Sequence, residues 1–188
     1  MKKIAVVALD PLAGASYTKE VRDLFGEYAE VVGYSVRDGS AAGVLPRADL
    51  FAISTDAYGS AEEEARHVPI DSQIMSIEVT FYWETLKKLF EIPQGTKVLF
   101  VNVTSNMARE AITQLSSLGV NHLQFIPYYP GAVLEEPVDI AVTPGESRFV
   151  PPSVKTVIDC DHRPCSYGMM VEIACVWDWN ICRKQKAL

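Results

Sequence analysis

Wherever an apolar run of this chain stops, a short set of hydrogen-bonding side chains begins. Ser54 and Thr55 close the run 50–54, and Thr104, Ser105 and Asn106 follow the run 98–103 directly. Tyr128 and Tyr129 sit between Pro127 and Pro130, Thr143 follows 139–142, and His162 and Arg163 come shortly after 156–159. Hydroxyls and amides at the start of a helix suit an anion, because unpaired N–H groups and the helix dipole both face it. Arg163 can clamp a carboxylate through two parallel N–H bonds. Each residue also has a plainer use: Ser105 as a helix N-cap, the tyrosine pair as packing between lobes, and Arg163 in a surface ion pair. A set rich in hydroxyls and poor in titratable pairs points to recognition rather than catalysis, so no catalytic residue is expected.

The sharpest enzymatic alternative rests on Cys160. Cofactor-free racemases and decarboxylases of two-lobed α/β type use thiols at strand ends as acid and base. Here Cys160 ends a strand, with His162 near enough in sequence to lower its pKa. All four cysteines are late, at 160, 165, 175 and 182. A two-thiol mechanism therefore fails, and a one-thiol mechanism remains as the alternative. Cys160, His162 and Cys165 form one irregular half of a metal site without a matching second pair, and Cys175 and Cys182 lie seven apart on a helix face that needs apolar residues; no metal is expected.

Nucleotide chemistry finds little support. The segment 10–16 follows a strand and opens a helix, but lacks the lysine of a nucleoside-triphosphate loop and the spaced glycines of a dinucleotide fold. A phospho-acceptor receiver would use Asp10 and Asp56, yet Pro127 stands where its lysine belongs. No cofactor is expected.

The elements that must carry these residues alternate. Strands are expected at 4–9, 31–36, 50–54, 98–103, 122–126, 139–142 and 156–159. Helices are expected at 16–28 with Ser16 as N-cap, at 77–90, from Ser105 to Gly119 with Met107, Ala111, Leu115 and Leu118 on one face, and at 167–184. The polar stretch 55–72 reads as a short helix or a mobile crossover. The order implies an α/β protein of two Rossmann-like lobes with mostly parallel sheets and a ligand cleft between them, since parallel units collect ligands at the carboxyl ends of their strands. The first lobe is placed at 1–75. The crossover helix, second lobe and C-terminal helix occupy 76–188.

With 188 residues, 48% hydrophobic and 22% charged, the chain can bury a substantial core. A formal charge of −7 argues against this segment gripping a nucleic-acid backbone. The basic run 183–186 reads as a helix C-terminus complementing the dipole. No apolar run is long enough for a membrane span, and 4–9 is too short for a signal core, so a cytoplasmic location is expected.

Four motifs carry a family resemblance: P-Q-G-T-K-V-L-F-V-N-V-T at 93–104, L-G-V-N-H-L-Q-F-I-P-Y-Y-P-G at 118–131, D-I-A-V-T-P-G-E at 139–146 and V-I-D at 157–159. They resemble the amino-terminal sensory region of sigma-54-dependent transcription activators, related to the propionate-catabolism regulator sensory domain. The likeness covers about residues 90–175, and the first lobe in outline. It departs at 160–170, where C-D-H-R-P-C-S-Y-G-M-M replaces an aliphatic, Asp/Ser-containing stretch. The resemblance implies a non-enzymatic effector-binding domain in transcription regulation. Its partners would be a small-molecule effector and downstream PAS, ATPase and DNA-binding modules, and a homo-oligomer is compatible with it.

Overall fold

Five consecutive residues from Ile4 to Ala8 are at most 1% exposed, which only a strand covered on both faces achieves. They belong to β1 (Lys2–Ala8), an inner strand of a four-stranded sheet in a computed structural model that describes residues 1–177. The chain continues through α1 (Pro11–Phe25), β2 (Ala29–Ser35), β3 (Leu50–Ser54), α2 (Ala61–His67) and β4 (Gln73–Ile77). The sheet order is β2-β1-β3-β4, every pair parallel. A second set follows: α3 (Trp83–Phe90), β5 (Lys97–Val101), α4 (Ser105–Ser117), β6 (Gln124–Tyr128), β7 (Ile140–Thr143), a 3-10 turn (Ser147–Phe149), β8 (Thr156–Asp159) and α5 (Tyr167–Val176). Its sheet runs β6-β5-β7-β8, again all parallel. The chain is thus α/β with two Rossmann-like lobes.

Each sheet separates two apolar layers, as the alternation of side chains along a strand requires. In the first, Ile4, Val6, Leu50 and Ala52 meet Val21 and Phe25 of α1, while Ala5, Val7, Phe51 and Ile53 meet Ala41, Leu45 and Val68. In the second, Val98, Phe100 and Val142 meet Ala108, Ala111 and Leu115 of α4, and Leu99, Val101 and Ala141 meet Val138. The buried side of α4 is therefore Ala108, Ala111 and Leu115, whereas Leu118 is 38% exposed.

Several expectations change. Helix α1 starts at Pro11, not Ser16: Asp10 caps it, its Oδ1 accepting from the Leu12 N–H at 2.9 Å, and proline at the first turn removes a donor that would have no partner. Ser16 lies inside the helix and donates to Glu20 Oε1 at 3.4 Å. Residues 73–77 form an edge strand for which no element was expected before the helix at 77, and α3 begins at Trp83 instead of 77. The chain forms two compact units: Met1–Val79 together with the described residues from Pro164 onward, and Thr80–Arg163. The C-terminal helix thus belongs to the first unit, not the second, because Met169, Met170, Ile173 and Ala174 complete the core around Ile4 and Val6. The expected continuation of that helix to 184, Cys182 and the basic run 183–186 lie outside the described residues.

Candidate functional site

Both sheets share one strand order, so each has a point where successive connections leave in opposite directions: between β1 and β3, and between β5 and β7. Open parallel sheets bind ligands outside the carboxyl ends of the strands there. In the second unit β5 lies between β6 and β7, with Val101 opposite Tyr128 and Phe100 opposite Val142. The segments carrying Thr104, Tyr128 and Thr143 therefore leave the same end of one sheet.

Beyond β5 the chain first turns inward. Asn102 is 3% exposed, donates its N–H to the Tyr128 carbonyl at 3.0 Å, and accepts from the Val103 N–H through Oδ1 at 2.8 Å. This residue holds the strand end closed. Thr104 then adopts extended backbone angles and its Oγ1 accepts from the Met107 N–H at 3.2 Å. The N-cap of α4 is Thr104, not Ser105, which is the first helical residue. Ser105 Oγ instead accepts from Arg109 Nε at 3.3 Å. Asn106 is exposed and its side chain makes no hydrogen bond among the described residues. Thr104, Ser105 and Asn106 are thus brought together in one exposed turn, with the Arg109 guanidinium beside them. Arg109 was not among the expected residues; its spacing of four from Ser105 is the signal that reveals it.

The start of α4 also differs electrostatically from the other helix starts. Asp10 caps α1, three glutamates fill the first turn of α2, Glu84 stands in that of α3, and Glu78 bonds the Ser166 cap of α5 at 3.3 Å. The first turn of α4 has no acidic residue and its cap is a neutral hydroxyl. Its dipole faces solvent without a carboxylate to balance it.

The ends of β7 and β8 are locked by their own bonds. Thr143 is fully buried; its Oγ1 accepts from the Glu146 N–H at 3.0 Å. Asp159 accepts from the N–H groups of Gly145 and Asp161 at 2.9 and 3.0 Å and from the Ser147 hydroxyl at 2.6 Å. Gly145 takes a φ of +82°, and a Cβ there would stand 3.5 Å from the His162 ring. Glu146 Oε2 is buried and lies 3.0 Å from an Arg148 nitrogen, within ion-pair distance but outside hydrogen-bond alignment. Thr143 shapes this turn and offers no free hydroxyl.

Arg163 is 8% exposed and already engaged. Its Nη1 reaches Glu110 Oε1 at 3.3 Å and Gln114 Oε1 at 3.2 Å on α4, and its guanidinium lies 5.6 Å from the centre of the Phe81 ring. The expected open carboxylate clamp is instead a brace along α4. Tyr128 is half-buried against the Leu99 and Val101 layer, and Tyr129 follows it, also half-buried.

Cys160 is 5% exposed, and its thiol donates to the Thr143 carbonyl at 3.1 Å. Burial first, and the Asp159 charge second, push the thiol up to about 12. His162 is not among the groups that set this value, so the lowering expected from it is replaced by a rise. Cys165 belongs to the core of the first unit, its thiol likewise pushed up to about 12 by burial and then by Glu20. Among the described residues no three His, Cys, Asp or Glu side chains are grouped as metal ligands.

Compared with known proteins, the chain matches no family model, no curated protein and no solved structure.

In the first unit, Ser54 ends β3 half-buried, its carbonyl accepting from the Ala57 N–H at 2.9 Å. Thr55 is exposed and lines a cavity of about 240 Å³ between β3, β4 and the start of α2. A second cavity of about 310 Å³ lies between α1 and β2, with Thr18, Arg22, Asp38 and Ser40 in its wall.

Proposed function

We propose that this chain is a regulatory domain that senses a small anionic metabolite, binding an acidic group of it at the start of α4. The observation that carries this reading is the first turn of α4: a neutral Thr104 cap, an exposed and unpartnered Asn106, no acidic side chain, and Arg109 alongside. A carboxylate or phosphate placed there meets N–H groups, the positive end of a 13-residue helix and a guanidinium. Asn102 and Arg163 brace the neighbourhood of that turn, the first by bonding β6 and the second by bonding the body of α4.

Acid–base chemistry by Cys160 is the competing reading. Against it stand the thiol's bond to the Thr143 carbonyl and its rise to about 12. A residue poised for proton transfer near neutral pH would be shifted the other way.

The sensory reading extends the likeness to sigma-54 activator sensory regions. In it, effector binding biases linked modules only by its differential affinity for their two states. Titrating the chain with small carboxylates and inorganic phosphate tests the binding step, with Asn106→Ala as the informative variant.

A further inference from the structure

The first unit carries a cavity whose chemistry is opposite to that of the α4 turn. Its floor is apolar, formed by Ile53 at the end of β3 and Ile74 of β4, the latter 45% exposed although aliphatic. Strand β4 is an edge strand and α2 spans seven residues, which leaves Ile74 partly uncovered. Polar groups surround this floor: Thr55, Tyr58, Glu64 and Ser76.

One of these is unsatisfied, and a second carries an unpaired charge. Tyr58 Oη is buried without a hydrogen-bond partner, although its ring is fixed by stacking on His67 at 4.7 Å between centroids. Glu64 forms no ion pair among the described residues, whereas its neighbour Glu63 pairs with Arg66 at 2.8 Å. Burial, and secondarily the Glu64 charge, raise the Tyr58 phenol to about 12, so it stays protonated at neutral pH beside an unpaired carboxylate.

We propose that this cavity is a binding site for a small alkylammonium ion, with Glu64 holding the ammonium, the hydroxyls of Thr55 and Ser76 completing its hydrogen bonds, and Ile53 and Ile74 receiving its alkyl body. Thr55 and Ser76 can each accept from an N–H. The carboxylate excludes anions from the same space by repulsion. A volume of about 240 Å³ admits a short branched amine and not a nucleotide. This goes beyond the acidic-effector reading and depends on none of its residues.

The test uses the full chain and isobutylamine at neutral pH, where it is an ammonium ion, with isobutanol and isobutyrate as probes of matching shape. Calorimetric titration should show isobutylammonium binding at least tenfold more tightly than isobutanol, and isobutyrate not binding. Glu64→Gln, an isosteric change on a helix surface, should weaken the amine roughly tenfold, the loss expected for one charge-assisted hydrogen bond. Asn106→Ala should leave it unchanged. Equal affinity for amine and alcohol, unaltered affinity in Glu64→Gln, or no binding of the amine overturns the proposal, while the α4 reading is untouched by any of these results.

Discussion

Thr104 and Ser105 are adjacent hydroxyls at a helix start, and only the backbone geometry decides which is the cap. Extended angles and a bond to the Met107 N–H give the role to Thr104. Thr104→Ala should cost about 1 kcal/mol in urea unfolding, and Ser105→Ala only a few tenths. The reverse order would return the cap to Ser105. The cysteines give a second test at this scale. Cys175 is exposed, whereas Cys160 and Cys165 are buried and held protonated. Iodoacetamide should alkylate Cys175 in the native protein and reach the other two only on unfolding. The Cys160 pKa is higher folded than unfolded, so the native state keeps a proton that the unfolded state loses. Stability is then fully present below the ordinary thiol pKa and declines as pH rises towards about 12. Cys160→Ala should make that alkaline decline shallower, with Cys165 and Tyr58, also raised to about 12, supplying the rest, and an unchanged slope would mean the thiol is not buried as described. Residue chemistry was partly readable in the sequence: the hydroxyl-rich strand ends are there to see. The commitment of Arg163 to Glu110 and Gln114 was not, since those partners lie 53 and 49 residues away.

Elements buried on both faces announce themselves. The runs at β1 and β5 are continuous apolar stretches, and β3 has the bounds expected of it, as does β8, an exposed edge strand. Strand β4 was hidden because Q-I-M-S-I is an edge strand with Gln73, Ile74 and Ser76 exposed, so neither a continuous run nor a clean alternation marks it. The pairing of α5 with the first unit was also hidden. A helix with apolar residues on most of its surface does not say which sheet it covers. Close approach of α1 to β2 depends on Gly33. A Cβ there would stand 2.3 Å from Thr18 Oγ1, a buried hydroxyl that has no hydrogen-bond partner. Gly33→Ala should destabilise the protein by roughly 1–3 kcal/mol through overpacking. Thr18→Ala alone should be close to neutral, and adding it to Gly33→Ala should restore most of the loss. Simply additive costs in this double-mutant cycle would show that the two positions do not meet.

At the scale of the whole chain, the two parallel sheets share one strand order, and the two proposed sites differ in sign. One offers a helix start free of acids with Arg109 beside it; the other offers an unpaired Glu64 over an apolar floor. None of the described helices is long and apolar enough to cross a membrane. The class of fold followed from alternating strands and helices, but the charge of each site did not, because it depends on which side chains remain unpaired after folding. Anion recognition at the start of α4 carries the sensory reading. A ligand at 100 times its dissociation constant would raise stability by about 2.7 kcal/mol, enough to select candidates by thermal shift before calorimetry. The decisive measurement is calorimetric titration of small mono- and dicarboxylates and inorganic phosphate into the native chain, Asn106→Ala and Arg109→Gln. At least one anion should bind the native chain and lose roughly 1–3 kcal/mol of binding free energy in each variant, with unfolding stability unchanged. Binding that is equally tight in both variants, or no anion binding at all, would rule out an anion site at the start of α4.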